Sequence, residues 1–297
     1  MFKVRRNTVG LINQIKREAT GNKTKIQTSE ASKLEAILNR AFFLDKNVEE
    51  ETAFVKQVMT RGLESQERVG LHASALIKGE KDFCLRMQVL SLIYRQLQGE
   101  QLPVGLMRIF EEGNAIHEKW QRLFIRAGYS TAKDLDVTQF NKQYRISFTP
   151  DIICEIPEFY DGKMIGELKS VNTFQFQRMS KHPSAGKQLQ WYMCLKIMQE
   201  KKAGTWNGKD YVKGFVLSED KNTQDIKIEV YDYDPELVST FIDRAEEIKY
   251  RYNKVFKEHK MVKRPKDAKN PDCKRCAQCA LRNACWNING GGIKIND

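Results

Sequence analysis

The sequence predicts an α/β fold with a central mixed sheet flanked by helices. Segments with strand-like patterns, either alternating or continuously apolar, lie between residues 143 and 233. Longer segments with apolar residues at helical spacing precede, interrupt and follow these strands. A cysteine-rich segment closes the chain. These observations predict one α/β core with a helical addition at its start and a cysteine-rich addition at its end.

Composition favours a polyanionic partner. The 297 residues include 50 Lys and Arg against 38 Asp and Glu, which gives a net charge of +12. Such an excess suggests nucleic acid first and an anionic membrane surface second. No run of 18 apolar residues occurs and no apolar stretch follows the basic N-terminus, so we expect a cytoplasmic protein that does not span a membrane.

Helical periodicity accounts for much of the first half of the chain. Residues 31–62 read as two helices and form part of a predicted helical extension over residues 1–80. Residues 104–127 read as one long helix in which Gly113 and His117 share a face. The apolar stripe expected to bury this helix consists of Ile109, Phe110, Ile116, Trp120 and Phe124.

A predicted hairpin carries the most informative residues. Its first strand lies within residues 143–156, and its second spans residues 163–171. Between them, Asp161-Gly162 favours a tight turn. Alternate residues of a strand face the same side, so Glu167 and Lys169 should point together while Leu168 points into an apolar core.

The hairpin turn brings a second carboxylate to Glu167. Asp151, which follows Pro150, should fold back beside it. Two converging carboxylates repel unless a cation lies between them, and oxygen ligands suit Mg²⁺ or Mn²⁺. Lys169 beside such a metal could orient or deprotonate a water molecule and offset phosphate charge. Taken singly, these residues also fit a turn cap and a cross-strand surface pair.

The rest of the core reads as helix, strand, strand and helix. Residues 172–184 form a basic, aromatic loop of a kind that suits nucleic acid. The predicted DNA-contacting residues there and just beyond are Arg178, Lys181 and Lys187. The predicted elements that follow are a helix over 185–201, strands over 211–217 and 226–233, and a helix over 235–259.

Cysteine usage indicates a metal site. Four of the seven cysteines lie within residues 273–285, and clustered cysteines in a chain without a secretion signal are more often metal ligands than disulfides. The spacing Cys273-x-x-Cys276-x-x-Cys279-x5-Cys285 could by itself form a four-cysteine zinc site.

Four motifs in order give the chain a family resemblance. They are Gly113-x-x-x-His117, Pro150-Asp151, Glu167-x-Lys169 and Gln188-x-x-x-Tyr192. Together they resemble the PD-(D/E)XK nuclease superfamily, in its RecB-like exonuclease branch, over roughly residues 80–290. The resemblance implies a restriction-endonuclease-like core and predicts a nuclease domain over residues 81–262.

The same resemblance implies roles for individual residues. Asp151, Glu167, the Leu168 carbonyl and His117 would hold the metal, and the imidazole favours stronger activity with Mn²⁺ than with Mg²⁺. Lys169 would act on the attacking water. Gln188 and Tyr192 would orient Lys169, the metal site or the strand being cut.

The cysteines resemble those of the iron–sulfur nucleases of that branch, which include CRISPR-adaptation exonucleases, their phage-encoded relatives and the AddB nuclease domain. This resemblance implies a [4Fe-4S] cluster on Cys84, Cys276, Cys279 and Cys285, within a cysteine-rich tail over residues 263–297. Cys273 is an additional cysteine and an alternative ligand, and zinc is the alternative metal.

The predicted function is metal-dependent hydrolysis of DNA by an exonuclease that acts on single strands or free ends. The predicted biological role is recombination, repair, replication or CRISPR adaptation. The resemblance places the protein in a bacterial or phage-infected cytoplasm. The chain carries no G-x-x-x-x-G-K-[ST] motif, so any helicase would be a separate partner. The alternative is an inactive nuclease fold that binds DNA as a scaffold, with a structural zinc or iron–sulfur site.

Overall fold

The computed structural model describes residues 28–61, 71–93, 104–258, 261–277, 279 and 281–287. They form the predicted α/β fold, so the fold class is confirmed. The helices are α1 (Thr28–Ala41), α2 (Val48–Arg61), α3 (Leu85–Ile93), α4 (Val104–Arg126), α5 (Thr173–Arg178), α6 (Ala185–Ala203), α7 (Pro235–Glu258) and α8 (Arg282–Trp286). The strands are β1 (Leu71–His72), β2 (Gln139–Asn141), β3 (Ile146–Phe148), β4 (Ile152–Glu155), β5 (Lys163–Val171), β6 (Lys213–Asp220) and β7 (Ile226–Asp232).

Contacts divide the chain into two compact units. The first unit contains residues 1–66, 105–139 and 149–239, and the second contains residues 67–104, 140–148 and 240–297. The predicted three-part division at residues 80 and 262 stays a prediction.

The first unit is built on a four-stranded mixed sheet in the order β4-β5-β6-β7. Strand β5 pairs antiparallel with β4 and parallel with β6, and β6 pairs antiparallel with β7. Because β5 and β6 are parallel, a crossover must join them, and α5 and α6 supply it. The predicted hairpin is confirmed, with Ile152 opposite Gly166 and Glu155 opposite Lys163.

The first strand of the hairpin is shorter than the sequence predicted. The segment 143–156 is not one strand, because it breaks at Thr149–Asp151 into β3 and β4. Strand β3 belongs to a separate three-stranded sheet, ordered β1-β3-β2, where it runs parallel to β1. Proline has no backbone N–H for a ladder, so Pro150 suits the break. Asp151 therefore lies at the very start of β4.

Helices cover both faces of the four-stranded sheet. On one face, apolar residues of α1, α2 and α4 share a buried core with Leu168, Phe215 and Leu217. On the other face, Gly214 lies against Leu189 and Met193 of α6. The N-terminal helices are thus part of the hydrophobic core of the first unit, since Leu34, Leu38 and Phe54 are fully buried there. The buried residues of α4 in this core are Trp120, Leu123, Phe124 and Ile125, and Ala127 directly follows the helix.

The start of α4 departs from the expected core stripe. Trp120 and Phe124 are buried as expected, but Ile109 is 52% exposed and Phe110 is 53% exposed. Helical periodicity identifies an apolar face, but it does not tell how far along the helix the covering sheet extends. The first turns of α4 therefore present apolar side chains at the surface of the first unit.

In the second unit, α7 is hydrogen-bonded to the segment that follows β1. Arg244 of α7 donates hydrogen bonds to the carbonyls of Leu76 and Lys78, at 2.7 and 2.6 Å. Among the residues that the structure describes, no helix is both long and apolar enough to cross a membrane.

Candidate active site and cysteine cavity

The backbone of β5 holds the carboxylate of Asp151. The N–H of Leu168 donates a 2.7 Å hydrogen bond to Oδ2 of Asp151. The Asp151 carbonyl in turn accepts from Nε2 of Gln121, on α4, at 2.9 Å. Asp151 is thereby tied to both the neighbouring strand and the helix that carries His117. The predicted folding of Asp151 back onto the second strand is what the structure shows.

Glu167 and Lys169 point to the same side of β5, as alternation predicted. The ammonium of Lys169 donates to Oε1 of Glu167. Glu167 is fully buried, and its other oxygen, Oε2, has no hydrogen-bond partner among the described residues. Burial, followed by the charge of Asp151, raises the pKa of Glu167 to about 8, although Lys169 opposes the shift. An unpaired buried carboxylate oxygen is costly, so this atom marks where a ligand would be stabilising.

Lys169 remains a cation despite its burial. Burial lowers its pKa, but the carboxylates of Glu167 and Asp151 outweigh burial, and the net shift of the Lys169 pKa is upward. A lysine held as an ammonium can stabilise developing negative charge, whereas it cannot accept a proton from water in that state.

Helix α4 brings His117 to the carboxylates. Nδ1 of His117 lies 3.6 Å from Oδ1 of Asp151. Two and three residues beyond His117, Lys119 and Trp120 both bind the buried carboxylate of Glu219 on β6, with Trp120 Nε1 donating to Oε2 at 2.6 Å. This tie fixes the height of the helix over the sheet, and therefore the position of His117 relative to Asp151.

Gly113 permits the close approach of α4 to β5. A Cβ atom at Gly113 would lie 3.2 Å from Oγ of Ser170, the residue after Lys169. Glycine inside a helix is less favourable than alanine by about 1 kcal/mol. The contact with Ser170 gives a structural reason for glycine at this position, one turn before His117.

Gln188 and Tyr192 lie one helical turn apart on α6 and are hydrogen-bonded, with Gln188 Nε2 2.9 Å from the Tyr192 hydroxyl. The phenol is buried. Burial, followed by the charges of Glu167 and Asp151, raises the Tyr192 pKa well above its usual value. Both carboxylates therefore act on the Tyr192 hydroxyl, and the structure brings together all the motifs that the sequence identified in this unit.

Sequence reasoning missed several residues around this site. Gln121 could have been noticed as the residue one turn after His117 on the same helix face. Ser218 could not, because it is brought beside Lys169 only by the parallel pairing of β5 and β6. Ser218 is fully buried, and its Oγ has no hydrogen-bond partner in the part of the chain that the structure describes. It adds a second unpaired polar atom on the face of the sheet that carries Glu167.

His182 was likewise given no role. Its Nδ1 accepts from the backbone N–H of Ala185 at 3.2 Å, so the ring caps the start of α6. Its backbone N–H donates to Glu229 at 2.7 Å. Burial, followed by the nearby charge of Lys169, lowers the His182 pKa. A neutral ring that accepts at Nδ1 carries its proton on Nε2.

The donor atoms of this site are of the types that bind a divalent cation. Two carboxylates supply hard oxygen donors, His117 supplies a nitrogen, and Oε2 of Glu167 is buried without a partner. Their arrangement is nevertheless not that of a closed metal centre. Within the described part of the chain, no three His, Cys, Asp or Glu side chains are grouped tightly enough to hold an ion. Here Lys169 binds Glu167, and Leu168 binds Asp151.

The predicted DNA-contacting residues follow the strand that carries Glu167. The guanidinium of Arg178 lies over the ring of Phe174, 3.6 Å from its centroid. Lys181 is exposed on the connection between β5 and α6, and Lys187 is exposed in the first turn of α6. The structure thus keeps all three cations on one segment that leaves the site.

A separate cysteine cavity lies in the second unit. It has a volume of about 650 Å³ and is lined by Cys84, Cys276, Cys279 and Cys285 but not by Cys273. Cys84 directly precedes α3, and its carbonyl accepts from the N–H of Gln88 at 3.1 Å. These four are the cysteines that the resemblance assigned to the cluster. The other two cysteines, Cys154 and Cys194, are buried in the first unit, as expected of core residues.

The surroundings of the cavity suit a negatively charged group. Seven of its lining residues are Lys or Arg and two are Asp. Arg86 is 6% exposed, and its Nε donates to Sγ of Cys285 at 3.2 Å. Arg264 also binds the Cys285 carbonyl, at 2.6 Å. Cations and N–H donors beside sulfur stabilise thiolates and the iron–sulfur clusters that thiolates hold.

One feature favours the local zinc alternative. Burial raises the pKa of Cys276 to about 11, and the neighbouring Cys273 thiol adds to the shift. Cys273 and Cys276 are thus close, as two ligands of one ion would be. Four cysteines thus line one cavity, but among the residues that the structure describes no three of them are grouped tightly enough to hold an ion.

Comparisons with known proteins give structural neighbours only. No protein-family model and no curated protein matches the chain. Crystal structures of LHK-Exo, an alkaline exonuclease from Laribacter hongkongensis, align with a TM-score of 0.41 at 12% identity, and of 0.42 at 14% identity for the complex with dAMP. Each alignment covers 64% of this chain and 92% of LHK-Exo. The structure of SSO0001 aligns with a TM-score of 0.40 at 13% identity over 82% of this chain and 97% of that one. Similarity this low carries no argument about activity.

Proposed function

We propose that the protein is a metal-dependent nuclease that hydrolyses phosphodiester bonds of DNA. The observation that carries the proposal is the convergence of Asp151, Glu167 and Lys169. They come from two paired strands, and one buried carboxylate oxygen among them has no partner. A surface ion pair would not need a buried carboxylate whose pKa is raised to about 8.

Each residue has a role that follows from its position. Asp151 and Glu167 would hold the metal, with His117 and the Leu168 carbonyl as further ligands. When bound, a divalent ion supplies charge stabilisation and a more acidic water molecule. The hydrogen bond from Leu168 orients Asp151, and the charged Lys169 would stabilise the negative charge that develops on the phosphate.

The α6 pair would complete the site. The hydrogen bond between Gln188 and Tyr192 fixes the phenol beside both carboxylates. In this position Tyr192 is suited to donate a hydrogen bond to a bound water molecule or phosphate oxygen. Mn²⁺ is the preferred ion in this proposal because His117 offers a nitrogen ligand.

In the second unit, a [4Fe-4S] cluster on Cys84, Cys276, Cys279 and Cys285 is the proposed metal group. It is supported by the shared cavity and by the N–H of Arg86 directed at Cys285. Zinc held by Cys273 and its neighbours is the alternative. Exonuclease action, a helicase partner, a cytoplasmic location and a role in recombination, repair, replication or CRISPR adaptation stay predictions that rest on the sequence.

A matched pair of variants tests the proposal. Glu167→Gln removes the buried carboxylate, while Glu155→Gln removes an exposed carboxylate at the end of the same hairpin. Both proteins would be incubated with end-labelled single- and double-stranded DNA in Mn²⁺, Mg²⁺ or EDTA. The proposal expects metal-dependent cleavage by the Glu155→Gln protein and none by the Glu167→Gln protein. Equal cleavage by the two variants would contradict the proposal. If the two folded variants and the wild type all fail to cleave DNA, the scaffold alternative would be favoured.

A further inference from the structure

The connection between β5 and α6 exposes an aromatic ring five residues after Lys169. Phe174 on α5 is 64% exposed, whereas Phe176, two residues on, is 6% exposed. Lys227 secures the buried side of α5, because its ammonium binds the carbonyls of Phe176 and Met179. The short helix is therefore anchored to the sheet with one phenylalanine directed into the protein and the other directed outward.

One face of the exposed Phe174 ring already stacks against the Arg178 side chain. The guanidinium of Arg178 lies 3.6 Å from the centroid of Phe174. A cation over a ring face is favourable even at an exposed site. The pairing holds the ring in one orientation and leaves it available to a further flat group.

Charge identifies the kind of group that would bind there. Residues 172–187 contain Arg178, Lys181 and Lys187, and no Asp or Glu. An aromatic ring within a stretch of cations suits a nucleic-acid strand, whose bases stack on the ring while its phosphates meet the cations. A double helix offers phosphates and base edges but no free base face to such a ring, because its bases are already stacked on one another.

The Phe174 ring lies a short distance along the chain from Lys169 of the candidate active site. Phe174 follows Lys169 by five residues, so their Cα atoms cannot be more than about 18 Å apart. On the other side of the end of β5, Lys221 links the Val171 carbonyl to that of Ile109, at 2.9 and 3.3 Å. The exposed Ile109 and Phe110 thus lie at this same end of the strand.

We propose that Phe174 and Arg178 form a stacking platform for an unpaired base of the strand being cut, so that the site takes DNA as a single strand or a frayed end. This inference rests on the proposed nuclease function, which it makes more specific. The apolar Ile109 and Phe110 would exclude the complementary strand from the same end of β5.

The test measures binding without cleavage, in EDTA, with fluorescent oligonucleotides. Wild type, Phe174→Ala and Phe174→Trp would be compared on a single strand and on an abasic strand of equal length and charge. Phe174→Ala is expected to weaken binding of the base-bearing strand about tenfold and to leave abasic binding unchanged. Phe174→Trp should retain wild-type affinity, because the larger ring still stacks.

Two control variants distinguish a loss of base stacking from a loss of positive charge and from the effect of removing any exposed aromatic residue. Lys187→Ala should weaken both oligonucleotides equally, as expected of a phosphate contact. Tyr250→Ala should weaken neither, since Tyr250 is also exposed and cation-paired but lies outside this connection. Equal binding of the base-bearing strand by wild type and folded Phe174→Ala would overturn the platform.

The outcome is distinguishable from failure of the proposed function. Cleavage that depends on Glu167, combined with binding that ignores Phe174, would remove the platform and keep the nuclease. Base-dependent binding that requires Phe174, without cleavage in any metal, would keep the platform and remove the nuclease.

Discussion

The backbone N–H of Leu168 donates a 2.7 Å hydrogen bond to Oδ2 of Asp151, so the peptide that separates Glu167 from Lys169 also orients the second carboxylate. Replacing Asp151 by Asn keeps an oxygen that can accept this bond but removes the charge. We expect Asp151→Asn to fold with near wild-type stability and to lose cleavage to background.

Asp151→Ala also loses the acceptor and leaves the Leu168 N–H unpaired. We expect it to be inactive and less stable by about 1–3 kcal/mol. Thermal unfolding and a cleavage assay on both variants check these expectations. Wild-type cleavage by Asp151→Asn would show that the negative charge is not required.

The contact of Gly113 with Ser170 predicts a coupled pair. Gly113→Ala places a Cβ 3.2 Å from Ser170 Oγ, so either the Ser170 side chain or the helix that carries His117 must move. We expect reduced cleavage with little net change in stability, because alanine is the better helix former by about 1 kcal/mol. The second substitution Ser170→Gly removes the clash and should restore activity.

Gly105 offers a control on the same helix. No described residue lies within 4 Å of a Cβ built there, so Gly105→Ala should leave both activity and stability unchanged or slightly increase stability. Additive effects of Gly113→Ala and Ser170→Gly in a double-mutant cycle would show that the contact does not couple the helix to β5.

The raised pKa of Glu167 predicts the pH dependence of metal binding. The pKa of Glu167 is about 8 in the folded, metal-free protein, against an ordinary value of 4.5. Protonation of Glu167 therefore stabilises the folded protein fully below about pH 4.5, and this stabilisation is lost as the pH rises through about 8. Metal binding has the opposite dependence, since the ion must displace this proton. We expect affinity to rise by up to about tenfold per pH unit and to level off above about pH 8.

Calorimetric titration with Ca²⁺ or Mg²⁺ across this range measures the effect directly. The Glu167→Gln protein, which has no proton to displace, should bind more weakly and with little pH dependence from this position. An affinity that is flat from about pH 6 to about pH 9 in the wild-type protein would contradict the assignment of Glu167 as a ligand.

The cysteine cavity predicts which thiols hold metal. Cys84 and Cys285 line it and Cys273 does not. Cys84→Ser should therefore lose bound iron, sulfide and the visible absorption of a cluster, and Cys273→Ser should retain them. Metal and sulfide analysis of anaerobically purified protein provides the measurement. Bound zinc that is lost in Cys273→Ser and kept in Cys84→Ser would establish the local four-cysteine site instead.

Local patterns predicted the parts of the site that depend on one strand or one helix. Strand alternation placed Glu167 and Lys169 on one side, and helical spacing placed Gln188 beside Tyr192, because both relationships involve a few consecutive residues. The turn at Asp161-Gly162 was sufficient to pair β4 with β5.

Relationships between distant segments were not predictable. The burial of Ser218 beside Lys169 depends on strand pairing across a crossover, and the exposure of Phe110 depends on where the sheet ends beneath α4. The break at Pro150 separated β3 from β4 because the two strands join different sheets, and sheet membership is a property of long-range pairing. The hydrogen bond from Trp120 to Glu219 could not be predicted for the same reason, because it joins residues far apart in the sequence.

The central claim is that Lys169, together with the two carboxylates, forms a nuclease site. The most direct measurement is cleavage of end-labelled DNA in Mn²⁺ by the wild type, by Lys169→Ala and by Lys163→Ala, a lysine on the same strand outside the site. Loss of the positioned cation should lower the rate by about a hundredfold or more, while Lys163→Ala should cleave like wild type. Undiminished cleavage by folded, purified Lys169→Ala protein would contradict the account.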